Sequence, residues 1–357
     1  MTLAPVALFF GTRPQVIKAS VLREALAQIG PVLAVDSGQH YDYEMHRVHY
    51  DQLGVRPPDA FLGVGPGSHA EQTAAMLTVC EQWLAAHPVR LAVVIGDTNT
   101  TLACALAAVK HRIRVAHVEA GLRAADALMA EEINRRVVDA VAHWLCAPCG
   151  RVEVVLRREH PAAVVAATGD VAYDVLRRSL PRVPRIAAIP GLEPAWAREF
   201  VYCTLHRAEL VDSPDRLREV IDALARVPQP VLFAAHPRTT AALERSGTTL
   251  GPNVHRITPV GYLESLALVQ RASVVVTDSG GLQREAYWLG RPCVTVRGET
   301  EWLETIDCGA NRLVPPEMAS RLPEAISAAH AAPANWPVGA YGDGDAATRV
   351  ATMLAHA

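Results

Sequence analysis

Short apolar runs alternate with amphipathic stretches along most of the chain. Residues 6–10, 91–95, 115–118, 201–205, 231–235 and 274–277 are runs of four or five mostly apolar residues without strict alternation. A strand wetted on one face alternates apolar with polar positions. One covered on both faces does not, so these runs predict the strands of parallel sheets. The segments between them, such as 131–144 and 214–225, carry helical spacing. In the former, Ile133, Val137, Val138, Val141 and Trp144 recur along one face. Repetition of this βαβα order predicts an α/β fold with doubly wound sheets.

The periodicity breaks in the proline-rich stretch at 180–194, and a second such stretch, 333–337, precedes a last short helix. The 357 residues suit two domains. The predicted plan is two Rossmann-like domains facing each other across a cleft. The first spans residues 1–175, with a C-terminal helix at 340–357 packed on it, and the second spans 176–339.

Composition narrows the function classes. A net charge of −3, with acids and bases spread along the chain, argues against a dedicated nucleic-acid binder. The longest apolar stretches fall short of the roughly 18 residues of a membrane span. The apolar start lacks a basic leader and a cleavage site, and reads as a first buried strand. Seven scattered cysteines, an odd number, suit reduced thiols in the cytoplasm. Cys146 and Cys149 form a C-x-x-C pair near His143, but no second close pair completes a zinc site. They read as small apolar residues at a strand end, and no metal is expected.

The chemistry concentrates where the apolar runs stop. In open parallel sheets, ligands bind beyond the carboxyl ends of the strands. Gly11-Thr12-Arg13-Pro14, Gly96-Asp97-Thr98, Glu119-Ala120-Gly121, His206-Arg207, His236-Pro237-Arg238 and Asp278-Ser279-Gly280-Gly281 each follow a predicted strand. Ser279, Gly280 and Gly281 open a predicted helix at 282–289, where free N–H groups favour an anion and glycines permit close approach. Glu285 then suits ribose hydroxyls. Arg13, in another strand-to-helix turn, can fork onto a phosphate, with Lys18 following on the same helix.

Each residue also has a plainer reading. Arg13 and Glu285 can be surface charges, His206 a structural histidine and His236 a cap. Glu131 and Glu132 can serve the helix dipole, or pair with Arg135 and Arg136 four residues on. Asp97, Glu119 and Glu131 converging with a phosphate site are harder to dismiss together.

The segments GTRPQVIKAS, SGQHYDYEM, VVIGDTNTTLA, VAHVEAGLR, EEINRRVVD, TLHRAE, HPRT, PVGYLESLAL, TDSGGLQREAYWLGRPCVTVR and ETEWLET resemble, in order, those of the non-hydrolysing UDP-N-acetylglucosamine 2-epimerases. The resemblance covers roughly residues 6–314. It implies the glycosyltransferase B fold, a UDP-sugar substrate, no cofactor and a homodimer serving polysaccharide biosynthesis. It also implies elimination and re-addition of UDP, with Asp97, Glu119 and Glu131 as acid/base groups and His206 beside the diphosphate. Arg13, Lys18, Arg135, His236, Ser279, Gly280, Gly281 and Glu285 become substrate-binding positions. Ala130 replaces a proline that many members carry before the Glu-Glu pair. Beyond Arg123 itself, residues 123–129 lack an aromatic or basic residue often found there. This spacing resembles a subgroup that includes epimerases of 2,3-diacetamido-uronic acid nucleotides. Gln39-His40 matches a region where some members bind a second, activating nucleotide sugar, although the residues that follow differ. Competing readings are a glycosyltransferase of the same architecture, a hydrolysing 2-epimerase releasing UDP and free sugar, and a non-catalytic nucleotide-sugar sensor.

Overall fold

The computed structural model describes residues 3–39, 55–186, 189, 192, 199–332 and 335–357. His40 and most of the SGQHYDYEM segment lie outside the described residues, as do parts of both proline-rich stretches. The chain forms two compact units, Met1–Arg178 joined by Gly339–Ala357, and Ser179–Val338.

The first unit runs β1 (Val6–Phe10), α1 (Arg13–Leu26), β2 (Val32–Asp36), β3 (Ala60–Phe61), α2 (His69–Ala86), β4 (Leu91–Ile95) and α3 (Asn99–Lys110). It continues with β5 (Arg114–Val118), α4 (Ala130–Val141), β6 (Trp144–Ala147), α5 (Gly150–Glu159), β7 (Val164–Ala167) and α6 (Val171–Ser179), whose last residue begins the second unit. Among the described residues its sheet is parallel, in the order β3-β2-β1-β4-β5-β6-β7. β1 and β4 are buried at every position, which is why their sequences show no alternation.

The second unit contains β8 (Val201–Thr204), α7 (Ala208–Val211), α8 (Pro214–Leu224), β9 (Val231–Ala234), α9 (Pro237–Ser246), β10 (Val254–Ile257) and α10 (Tyr262–Arg271). Then follow β11 (Val274–Thr277), α11 (Gly280–Trp288), β12 (Cys293–Thr295), α12 (Leu303–Asp307), β13 (Asn311–Leu313) and α13 (Leu322–Ala331). Its sheet is also parallel, in the order β10-β9-β8-β11-β12-β13. The last helix, α14 (Ala346–Met353), belongs to the first unit and packs along α1.

Two expectations need correction. The helix expected over 131–144 ends at Val141, and Trp144 begins β6 instead, because its apolar spacing continued the helical pattern by coincidence. The face of α4 that is buried is also not the apolar one. Ile133 is 45% exposed, whereas Glu132, Asn134, Arg135, Val138 and Asp139 are buried. A helix that buries charges must satisfy them with partners, and those partners belong to the site. A smaller difference concerns Gly280 and Gly281, which form the first turn of α11 rather than preceding it.

Candidate active site

In each sheet the strand order reverses once, between β1 and β4 and between β8 and β11. Crevices at the carboxyl ends of such strands are where doubly wound folds bind ligands. The turns after β1, β4 and β5 carry Arg13, Asp97 and Glu119, and those after β8, β9 and β11 carry His206, His236 and Ser279.

Gln15 ties the first two of these turns together. Its Oε1 accepts the N–H groups of Gly11 and Thr12 at 2.9 and 3.2 Å. Its Nε2 donates to the Ile95 carbonyl at 2.7 Å and to Thr98 Oγ1 at 2.9 Å. The T-x-x-Q pattern is a capping-box signature, so this residue left a legible signal. A Cβ at Gly11 would collide with the hydroxyls of Ser37 and Thr100, so the turn requires glycine. Arg13 opens α1, with Pro14 in its first turn.

Lys18 is 9% exposed, and its ammonium pairs with the Glu119 carboxylate. Glu119 has φ +66°, a left-handed conformation that a side chain tolerates at roughly 1–3 kcal/mol. Asp97 Oδ2 accepts from Arg135 Nη2 at 2.6 Å, and the Asp97 carbonyl accepts from Asn134 Nδ2 at 2.9 Å. Burial of the surrounding site pushes the Asp97 carboxyl above its ordinary value, although 33% of the side chain is accessible. Arg135 pulls in the opposite direction, the Glu119 charge adds to the rise, and Lys18 counters it. Asp97 and Glu119 are therefore close enough to feel each other's charge, and each has its own cation.

Arg135 also pairs with Glu132, not with Glu131. Glu132 is fully buried and accepts Arg136 Nε at 2.6 Å and the Ala124 N–H at 2.9 Å. The pairing expected at i,i+4 for Glu131 and Arg135 is absent among the described residues, since Arg135 points inward to Asp97 and Glu132. Glu131 is exposed in the first turn of α4, and among the described residues no ion pair engages it.

In the second unit, the His206 ring Nδ1 lies 2.9 Å from Asp278 Oδ1, and Asp278 Oδ2 accepts the N–H groups of His206 and Arg207 at 2.7 Å each. Burial opposes the charge on Asp278, but His206 and these two N–H groups hold its carboxyl below the ordinary value. The exposed His236 caps α9, its Nδ1 accepting the Arg238 N–H at 3.2 Å, and its ring centre lies 6.1 Å from that of His206. Ser279 caps α11, its hydroxyl accepting the Leu282 N–H at 3.4 Å. Gly280 and Gly281 form the first turn, where a Cβ would meet only ordinary contacts within the chain. Glu285 follows on α11, partly buried. Cys146 lies in β6, Cys149 caps α5, and the His143 ring accepts the Val115 N–H at 3.3 Å. Among the described residues no cluster of His, Cys, Asp and Glu is arranged to hold a metal ion.

Comparison with known proteins gives this geometry a family. A family model described as UDP-N-acetylglucosamine 2-epimerase matches residues 29–355. A Pseudomonas aeruginosa protein named UDP-2,3-diacetamido-2,3-dideoxy-D-glucuronate 2-epimerase is 42% identical over 312 residues, covering 85% of this chain and 86% of its own. A crystal structure of the UDP-GlcNAc 2-epimerase of Methanocaldococcus jannaschii, in complex with UDP-GlcNAc and UDP, is 34% identical with a TM-score of 0.89. The match covers 99% of this chain and 100% of that one. The Neisseria meningitidis UDP-GlcNAc 2-epimerase bound to UDP-GlcNAc is 27% identical with a TM-score of 0.85, over 98% and 99% of the two chains. The fold is of the glycosyltransferase B type, and the chain belongs to the UDP-N-acetylglucosamine 2-epimerase family.

Proposed function

We propose that the chain inverts carbon 2 of a UDP-linked 2-acetamido sugar by eliminating and re-adding UDP. The observation that carries this reading is the pair of carboxylates, Asp97 and Glu119, on neighbouring strand ends, each held by its own cation. Inversion at a carbon bearing hydrogen needs a base on one face of the ring and an acid on the other. One carboxylate removes the proton from carbon 2. The bond between carbon 1 and the diphosphate oxygen breaks, and UDP departs with the electron pair, leaving a 2-acetamidoglucal. UDP then re-adds at carbon 1 while the other face of carbon 2 receives a proton. The product keeps its nucleotide.

The carbon acid is weak, so stabilising the departing diphosphate is a large part of the barrier. We assign that work to His206, Arg13 and the first turn of α11, with His236 beside His206 and with Ser279, Gly280, Gly281 and Glu285 taking the nucleotide. Lys18 and Arg135 hold Glu119 and Asp97 in place. Glu131 takes the third acid/base position that the family resemblance implies. The 42% identity to a relative named for a 2,3-diacetamido uronate supports a sugar of that class. The seven free cysteines suit the cytoplasm, and the resemblance supports a homodimer serving polysaccharide biosynthesis.

The test is a panel of UDP-2-acetamido sugars, with and without 3-acetamido and uronate groups, followed by proton NMR. We expect interconversion of gluco and manno forms with UDP still attached. Release of free sugar would instead make the chain a hydrolysing enzyme, and transfer to an acceptor a glycosyltransferase.

A further inference from the structure

His117 and Asp139 take no part in the chemistry proposed above, yet both are fully or almost fully buried beside it. His117 lies in β5, two residues before Glu119. Its Nδ1 is 2.7 Å from Asp139 Oδ1, and its Nε2 is 2.7 Å from the carbonyl of Gly96, the residue before Asp97. The other Asp139 oxygen accepts the Gly121 N–H at 3.2 Å and Arg123 Nη1 at 2.7 Å.

One buried carboxylate thus fixes the Glu119 turn from both sides, through His117 before it and Gly121 after it. Through the imidazole it also reaches the Asp97 turn. The Glu119 turn needs such restraint, because Glu119 holds a positive φ that a side chain disfavours, whereas Gly96 and Gly121 adopt theirs without strain. Asp139 lies one helical turn beyond Arg135, which holds the Asp97 side chain, so α4 grips Asp97 at two levels.

We propose that Asp139 and His117 form a positioning pair that sets the Asp97 and Glu119 turns in register for proton transfer. This rests on the epimerase reading and adds two residues to it. Asp139 already accepts from Arg123 and the Gly121 N–H, as a carboxylate does. A backbone carbonyl only accepts. Each ring nitrogen of His117 therefore donates a proton to its partner.

The test compares Asp139→Asn, His117→Gln and the double variant, with melting temperature and near-UV circular dichroism to verify folding. Displacing a reacting group by about 1 Å lowers rates on the order of 100-fold. We expect each single variant to lose at least about tenfold in kcat, with KM and UDP affinity held within about threefold. The double variant should be no slower than the slower single, because residues acting as one unit are not additive. Wild-type kcat in folded single variants, or losses that multiply in the double, would overturn the proposal. If a variant does not fold, NMR of the ¹⁵N-histidine-labelled wild type decides. Two slowly exchanging ring N–H protons on His117 support the pair, and one alone overturns it. Wild-type protein inactive on every UDP-sugar would instead refute the underlying epimerase reading.

Discussion

Among single residues, Asp97 and Glu119 carry the reading. Replacing Glu119 by Gln keeps the shape and removes one of the two proton-transfer groups. Turnover should fall by about 100-fold or more, the usual contribution of an acid/base group, while UDP affinity stays. Glu131→Gln should fall similarly if this exposed carboxylate serves the third position, and steady-state rates that match wild type would remove it. Asp97 also makes a pH prediction. Its carboxyl is raised above the ordinary 3.8, so protonation begins at a higher pH than for a free aspartate. A base is lost on protonation, so kcat should decline on the acid side with an apparent pKa above 3.8. An acid limb at or below that value would contradict the placement. Stability has the opposite sign. A raised carboxyl pKa means the fold binds this proton more tightly than the unfolded chain does. The contribution of Asp97 is thus most favourable below the unfolded value, and declines as pH rises through the unfolded and then the folded value.

At the level of elements, α4 is the organiser, and it was the hardest part to read from sequence. Its inward face holds Glu132, Asn134, Arg135 and Asp139, while Ile133 faces out. In sequence, E-E-I-N-R-R resembles a solvated helix laced with i,i+4 pairs. Only the neighbouring turns reveal that Arg135 reaches Asp97, and those turns become neighbours only once the strand order is fixed. The same reason hid His117 and Asp139, whose partners lie on neighbouring elements distant in sequence. Strands β1, β4, β5, β8, β9 and β11 were legible because near-complete burial erases alternation, and Arg13, Asp97, Glu119, His206, His236 and Ser279 because they follow strand ends. A stability test belongs to α4. Arg135→Ala leaves Glu132 fully buried with, among the described residues, Arg136 and the Ala124 N–H as its remaining partners. Stripping one member from a buried ion pair costs about 3 kcal/mol or more. Urea denaturation should show that loss, and a change under about 0.5 kcal/mol, typical of an exposed pair, would mean that the pair is weaker than its burial implies.

At the scale of the molecule, two parallel sheets of like order each place candidate residues in turns at or next to the reversal point. The first unit supplies carboxylates with paired cations, and the second supplies a histidine pair and a helix start suited to phosphate. The proposal gives the proton step to the first set and the departure of the diphosphate to the second. Fold alone would not distinguish it from sugar transfer, because one architecture hosts many chemistries. The discriminating feature is whether carbon 2 exchanges its hydrogen with solvent. The most direct measurement is therefore an incubation of the wild-type protein with its UDP-2-acetamido sugar in heavy water, read by proton NMR. The account predicts that epimer formation is accompanied by deuterium at carbon 2 and that UDP stays attached to the product. Epimer formation with carbon 2 still bearing protium would show that no carboxylate passes the proton to water, and would contradict the roles given to Asp97 and Glu119.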